Sequence, residues 1–184
     1  MEETTNEKPS LMQHALKWGV IMGIINVVIG VLLYVVDYTM LTDWKTGILI
    51  VLLVIGVTIY AGINYRSEVG GFLGYGKAWQ HGMIFMAVGG LVYSIYNLIL
   101  YTIIDPELPA KLVEAAVEKA QAMAESFGAS GDALDKAMED TRKRTEGQFS
   151  VVGVMTGFAF SLIFYAIIAL ITALFVRKNQ PEEI

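Results

Sequence analysis

Four long apolar runs alternate with polar connections along this chain. They lie at about residues 15–36, 46–65, 78–104 and 149–176. A hydrocarbon core about 30 Å thick is crossed by roughly 20 helical residues, and each run reaches that length. Lipid offers no partner to a free backbone amide, so each run is predicted to be helical. The third and fourth runs are longer than a crossing requires, which allows tilt or projection beyond the bilayer. A buried helix of a soluble core explains one such run, but four within 184 residues read as membrane spans. The pattern predicts an all-α fold: a single four-span integral membrane domain over residues 1–184, built as a four-transmembrane-helix bundle.

Between the third and fourth spans, residues 105–148 form the one sizeable extramembrane segment. Asp105-Pro106 closes the third span, and proline there suits the start of a new helix. Apolar residues then recur at Val113, Val117, Ala120, Ala124 and Phe127, a narrow amphipathic seam. Gly128-Ala129-Ser130-Gly131 reads as a loop. A second helix is predicted from about Asp132, with Leu134 and Met138 on its apolar face and Asp135, Lys136, Glu139, Asp140, Arg142 and Lys143 on its polar side. The segment is expected to be a helical hairpin or a bent arm. The competing reading is a solvated spacer with little tertiary contact.

Aromatic residues mark the predicted interfaces: Trp18, Tyr34, Tyr38, Trp44, Tyr65, Tyr75, Trp79 and Tyr101. Their rings suit the headgroup layer, where one end is apolar and the other wet. Four spans place both termini on one side, with Lys8, Lys17, Arg66, Lys77, Arg177 and Lys178. The other side receives Lys45, Lys111, Lys119, Lys136, Arg142, Lys143 and Arg144. The two sets are nearly equal, so the positive-inside rule is decided by detail. The cations around 66–82 and in the C-terminal tail lie tight against the membrane. The 105–148 segment carries ten acidic residues against six basic ones and is able to cross as a unit. Both termini are therefore expected on the cytoplasmic side. The cluster Arg142-Lys143-Arg144 beside the fourth span argues the other way.

Composition narrows the function classes. Charged residues make up 17% of the chain, below the quarter or so usual for soluble domains, and they cluster in the tails and in 105–148. A net charge of −5 gives no basic footprint for nucleic acid. The absence of cysteine removes disulfides, thiolate metal sites and thiol chemistry. The acidic start MEETTNEKPS and the long first run, ending at Tyr34 and Tyr38, are expected to form a mature span rather than a signal peptide.

Small residues recur at helical spacing within the spans: Gly19, Gly23, Asn26 and Gly30; Gly56, Thr58 and Gly62; Gly90, Ser94 and Asn97; Gly153, Gly157 and Ser161. Close backbone approach and interhelical hydrogen bonds drive helix association in lipid, so these stripes are expected to be the seams of the bundle. A homodimer through Gly19 and Gly23 is the sharper alternative. Asn26 and Asn97 are the deepest polar residues. Each suits an interhelical hydrogen bond, or the two form a ligand-facing pair.

No ionisable group falls mid-span. Asp37, Asp43, Lys17 and His81 all lie near span ends, which disfavours a proton-coupled pump or a charge-selective pore within one chain. The two histidines, His14 and His81, belong to no HExxH, GxSxG or P-loop spacing. No catalytic residue, cofactor site or metal site is expected. The carboxylates of 105–148 alternate with lysines and read as a solvated face. Lys77, Gln80 and His81, one turn into the third span, suit either interfacial anchoring or an anionic headgroup.

The stretch Arg66–Gly82, RSEVGGFLGYGKAWQHG, is the most distinctive local pattern. It is no phosphate loop, because no strand precedes it and Ala78 follows the lysine where GxxxxGK[ST] needs Ser or Thr. It reads as a tight interfacial re-entry in which glycines allow the turn. Phe72, Tyr75 and Trp79 settle at the headgroups, with Arg66 and Lys77 on the inner face. Lipid or partner contact is expected at Arg66, Tyr75, Lys77, Trp79, Gln80 and His81.

With these features placed, the chain resembles a family of small bacterial membrane proteins catalogued as domain of unknown function 4199. The resemblance rests on Trp18-Gly19…Gly23, Tyr65-Arg66, Gly70-Gly71-Phe72…Tyr75-Gly76-Lys77-Ala78 and Asp105-Pro106. Leu73-Gly74 and Lys77 stand where the family pattern has Ile-Ser and Gln. The resemblance implies four spans with a helical segment before the last, and no activity. Three functions compete: a non-enzymatic inner-membrane protein acting through helix packing or partner binding, a subunit of an oligomeric small transporter or channel, and a headgroup binder or membrane enzyme at Lys77 and His81. The partners implied are the lipid bilayer and either a second copy or another membrane protein.

Overall fold

The computed structural model describes residues 9–180, and among these the chain is all-α apart from one isolated β-bridge. The acidic N-terminal segment up to Lys8, with its expected cytoplasmic placement, lies outside the described residues. Helix α1 spans Leu11–Asp37. It starts four residues before the apolar run because Ser10 and Gln13 cap it reciprocally, Gln13 N–H to Ser10 Oγ and Ser10 N–H to Gln13 Oε1, both at 3.2 Å. Asp37 closes α1 and turns the chain into a 3-10 turn, Tyr38–Thr42, by accepting from the Thr39 amide at 2.9 Å. Asp43 then caps α2, Trp44–Glu68, accepting from the amides of Lys45 and Thr46.

Helix α3 covers Tyr75–Ile99 and continues into a π turn, Leu100–Ile104, closed at Asp105. Helix α4 spans Leu108–Ser126 with Pro109 in its first turn, α5 spans Asp132–Gln148, and α6 spans Val151–Val176. Ser150 caps α6 through the Gly153 amide at 2.9 Å. Four helical stretches are long and apolar enough to cross a membrane: Leu11–Thr42, Trp44–Glu68, Tyr75–Ile104 and Val151–Val176. The shortest has 25 residues, about 38 Å of helix at 1.5 Å per residue. Large apolar side chains such as Val35, Leu49, Phe160, Phe164 and Phe175 stand exposed along these helices. Water would not tolerate that much continuous apolar surface, whereas hydrocarbon does.

Contacts cluster into two compact units. One draws on the chain up to Asn26, on Ile50–Val92 and on the chain from Ser161; the other comprises Val27–Leu49 and Tyr93–Phe160. In the first, Met22, Ala61, Phe85, Met86 and Ala169 form a buried core flanked by Trp18, Trp79 and Tyr165. A second cluster there joins Tyr65, Leu73, Ala78, Ala173 and Val176. In the other unit, Leu100, Leu108 and Leu112 pack with Tyr34, Tyr96, Tyr101 and Phe149.

The residues 105–148 form a packed hairpin, so the spacer reading fails. Arg142 donates two hydrogen bonds to the Glu114 carboxylate at 2.7 and 2.8 Å, joining α5 to α4. Lys119 donates to the Thr39 carbonyl at 2.8 Å, joining α4 to the 3-10 turn. Val113 and Val117 are buried as expected, and Leu134 and Met138 of α5 are half-buried. Phe127 is not part of the seam. It sits just past the end of α4 and is 85% exposed.

The small-residue stripes divide. Gly19 lies against α3: a Cβ there would meet the Phe85 carbonyl oxygen at 2.7 Å and Val88 Cβ at 2.9 Å. A Cβ on Gly23 would meet Val92 Cβ at 2.6 Å. This face of α1 is therefore occupied within the chain, and the homodimer through Gly19 and Gly23 is not supported. Gly62 abuts Val176, Gly90 abuts Tyr165, and Gly30 abuts Tyr93 and Tyr96. Ser94, Asn97 and Ser161 are half-buried. Asn26 Oδ1 is buried without a hydrogen-bond partner, so the expected interhelical bond at that atom is not made. The stripe on α6 is corrected at two positions. Gly157 faces open space, and Gly153 abuts Gly147 and Gln148 at the end of α5 rather than another span.

Candidate functional site

The re-entry is a tight turn, as its glycines predict. Gly70 and Gly71 have φ of 111° and 86°, a region costly for any residue with a Cβ. The Gly71 amide closes the turn on the Arg66 carbonyl at 2.8 Å. Leu73 then pairs with Lys178 in an isolated antiparallel bridge, each amide donating to the other's carbonyl at 2.9 Å. Arg66 Nη1 donates to the Val176 carbonyl at 2.7 Å, satisfying one of the groups that a helix C-terminus leaves unpaired.

Tyr75 and Trp79 use their polar ends differently from interfacial anchors. Tyr75 Oη donates to the Leu170 carbonyl at 3.0 Å, and Trp79 Nε1 donates to the Ala166 carbonyl at 3.2 Å. The two acceptors lie one turn apart on α6, and each carbonyl has a second lone pair to offer. Both rings are half-buried. Lys77 and Gln80 are exposed, and Lys77 lines an open cleft of about 710 Å³ with Lys178, Phe72 and Tyr65. His81 does not share their face, since it is fully buried.

His81 turns inward to meet the only other histidine of the chain. His14 Nδ1 and His81 Nε2 are 2.8 Å apart in a buried ring-to-ring hydrogen bond. His14 Nε2 lies 2.9 Å from Asn64 Oδ1 and 3.9 Å from Glu68 Oε1. Tyr65 stacks on His81 with centroids 5.3 Å apart and planes 15° from parallel. Trp18 adds a tilted contact to His14 at 6.0 Å. His14 stands in the first turns of α1, Asn64, Tyr65 and Glu68 in the last turns of α2, and His81 in the second turn of α3. Three helices thus deliver their polar groups to one layer.

The bonding limits the neutral pair to two arrangements of its protons. With Oδ1 of Asn64 as acceptor, His14 carries a proton on Nε2. In the neutral pair, His14 Nδ1 then accepts from His81 Nε2–H, leaving a lone pair on His81 Nδ1. That atom is buried and has no partner. The cluster opens outward through a cavity of about 250 Å³ lined by Gln13, His14, Lys17, Trp18, Asn64 and Glu68. Among the described residues, no three His, Cys, Asp or Glu side chains come together as a metal site would require.

Sequence reasoning named His81 but missed His14, Asn64 and Glu68. No local motif links residues 67 positions apart. The signal that was present is topological: an antiparallel course of spans puts the start of α1, the end of α2 and the start of α3 at one membrane face.

The sequence matches the model of a family described as protein of unknown function (DUF4199), over residues 17–178. The chain belongs to this family. The DUF4199 match takes in α1 from Lys17 onward, the other three apolar helices, the whole re-entry and the histidine cluster except His14, which lies before its start. No curated protein and no solved structure matches the chain.

Proposed function

We propose that this DUF4199 chain is a non-enzymatic integral protein of the bacterial inner membrane that acts by binding a protein partner, with both termini cytoplasmic. The observation that carries this reading is the α4–α5 hairpin. It is a charged, internally bonded arm that ends in exposed apolar side chains: Phe127 at 85% and Met123 at 57% exposure. Large apolar groups on a polar arm outside the lipid are anchors for a contact. The test is a photo-cross-linker placed at Phe127 in native membranes. Recovery of one defined protein, lost when Met123 and Phe127 are made polar, is expected. Adducts with lipid alone would refute the reading. Reporter fusions at Ser130 and after Arg177 test the orientation, with Ser130 expected outside and the C-terminal fusion inside.

A second reading rests on the cleft beside the re-entry, which Lys77 and Lys178 both line. Two ammonium groups at a membrane face suit an anionic headgroup. Lipid co-purification with the Lys77→Ala/Lys178→Ala double variant tests it, and unchanged anionic lipid content would sink it.

A further inference from the structure

Each of the two histidines offers two ring nitrogens, and the structure commits the inner two to each other. We infer that His14 and His81 are a proton-sharing pair: together they bind one excess proton, taken up from the opening beside Glu68, with the Glu68 carboxylate as counter-charge. The chemistry follows from the geometry. At 2.8 Å, the contact between His14 Nδ1 and His81 Nε2 has room for one bridging proton and no more. The neutral pair therefore holds the bridging proton and one outer proton, on either His14 Nε2 or His81 Nδ1. Loading adds the missing outer proton, so that three of the four nitrogens carry hydrogen and one positive charge is spread over both rings. When the outer proton sits instead on His81 Nδ1, with the Asn64 amide turned so that its N–H donates to His14 Nε2, a hydronium at the opening gives its proton to His14 Nε2 and leaves as water. A shift of the bridging proton then passes the charge to His81. No other bond breaks.

On the His14 side the surroundings suit the loaded pair, whereas burial opposes charge on His81, whose Nδ1 has no partner. His14 Nε2–H faces Asn64 Oδ1 at 2.9 Å and the half-exposed Glu68 carboxylate at 3.9 Å. Tyr65 stacks its ring face on His81, where it meets a delocalised cation. The charged groups near the pair are few. On α1, Lys17 lines the same opening and opposes loading. On α2, Glu68 favours it, while Arg66 is engaged at the Val176 carbonyl. On α3, Lys77 is exposed and lines the other cleft. From α6, the neutral Thr172 neighbours Gly82, the residue after His81. A second excess proton would set two N–H donors against each other across the ring-to-ring contact, so it enters only if the rings part.

The full chain contains no other histidine, which makes the test clean. Protein labelled with ¹⁵N-histidine and reconstituted in phospholipid nanodiscs is titrated by NMR. The expected result is a first step that moves nitrogens of both rings together and adds one proton per chain. The second proton should follow only about two pH units lower or more. Glu68→Gln leaves the rings in place and should move the first step to lower pH, by about half a unit or more for a partly exposed partner at this distance. His81→Gln should abolish the coupled step. Two independent one-proton curves in the unaltered protein would overturn the inference, as would uptake of both protons in one step. An unmoved first step in Glu68→Gln would overturn it too. The first two outcomes need no variant, so a His81→Gln protein that fails to fold does not shelter the proposal.

Discussion

Adding one methyl group at Gly19 tests whether the glycine stripe of α1 is an intramolecular seam. In Gly19→Ala the new Cβ would fall 2.7 Å from the Phe85 carbonyl oxygen and 2.9 Å from Val88 Cβ. The carbonyl belongs to the α3 backbone and cannot rotate away, so α1 and α3 must separate along the seam. Overpacking of this kind costs about 1–3 kcal/mol. Alanine in place of glycine within a helix returns about 0.5–1 kcal/mol. The net expectation is a loss of up to about 2.5 kcal/mol, with Gly23→Ala similar because its Cβ would lie 2.6 Å from Val92 Cβ. Gly157→Ala is the control: its Cβ would meet nothing within 4 Å, so only the helix gain of about 0.5–1 kcal/mol applies. Gly90→Ala should fall between, since its nearest atom is the movable hydroxyl end of Tyr165, at 2.5 Å. Reversible unfolding in mixed micelles, followed through the fluorescence of Trp18 and Trp79, measures all four on one scale. Equal stability of Gly19→Ala and Gly157→Ala would refute the packing, and so would a loss that depends on protein concentration.

The hairpin should loosen in acid. Two hydrogen bonds from the Arg142 guanidinium hold the Glu114 carboxyl below its ordinary range. Its contribution is therefore complete above the unfolded carboxylate value, about 4.3, and is lost as the pH falls through the lower folded value. Hydrogen exchange across α4 and α5 should show that acid-dependent loosening in the unaltered protein and lack this component in Arg142→Ala. Gly71→Ala has open space for its methyl group but a φ of +86°, so strain alone should cost about 1–2 kcal/mol, whereas Gly74→Ala should be neutral. Arg66→Ala leaves the Val176 carbonyl without its donor. Faster exchange of the amides of Leu73 and Lys178 is expected, and no change would show that the bridge holds without Arg66.

Four spans were legible because lipid permits so few alternatives. A run of 20 or more apolar residues must pair its own amides, and helix is the local way to do so. The ends were less legible, because capping by Ser10, Asp43 and Ser150 lies in polar connections where hydropathy is silent. The hairpin could be read from periodicity as far as Val117, but Phe127 could not be placed, since one more turn of the same period looks identical whether the helix continues or caps. The re-entry was legible at Gly70 and Gly71 through the conformation that only glycine adopts freely. Tyr75 and Trp79 look the same in sequence whether their polar tips reach water or α6 carbonyls. The glycine stripes were equally ambiguous: Gly19 and Gly157 carry the same signal, and only the position of a neighbouring helix separates a seam from a bare surface. The sequence alone thus determined the all-α class, the number of spans and a sharp turn within 66–82, each set by local backbone chemistry. Only the tertiary structure decided which glycines are seams and that His14 meets His81, because contacts across 67 residues depend on how helices face one another, which no local pattern records.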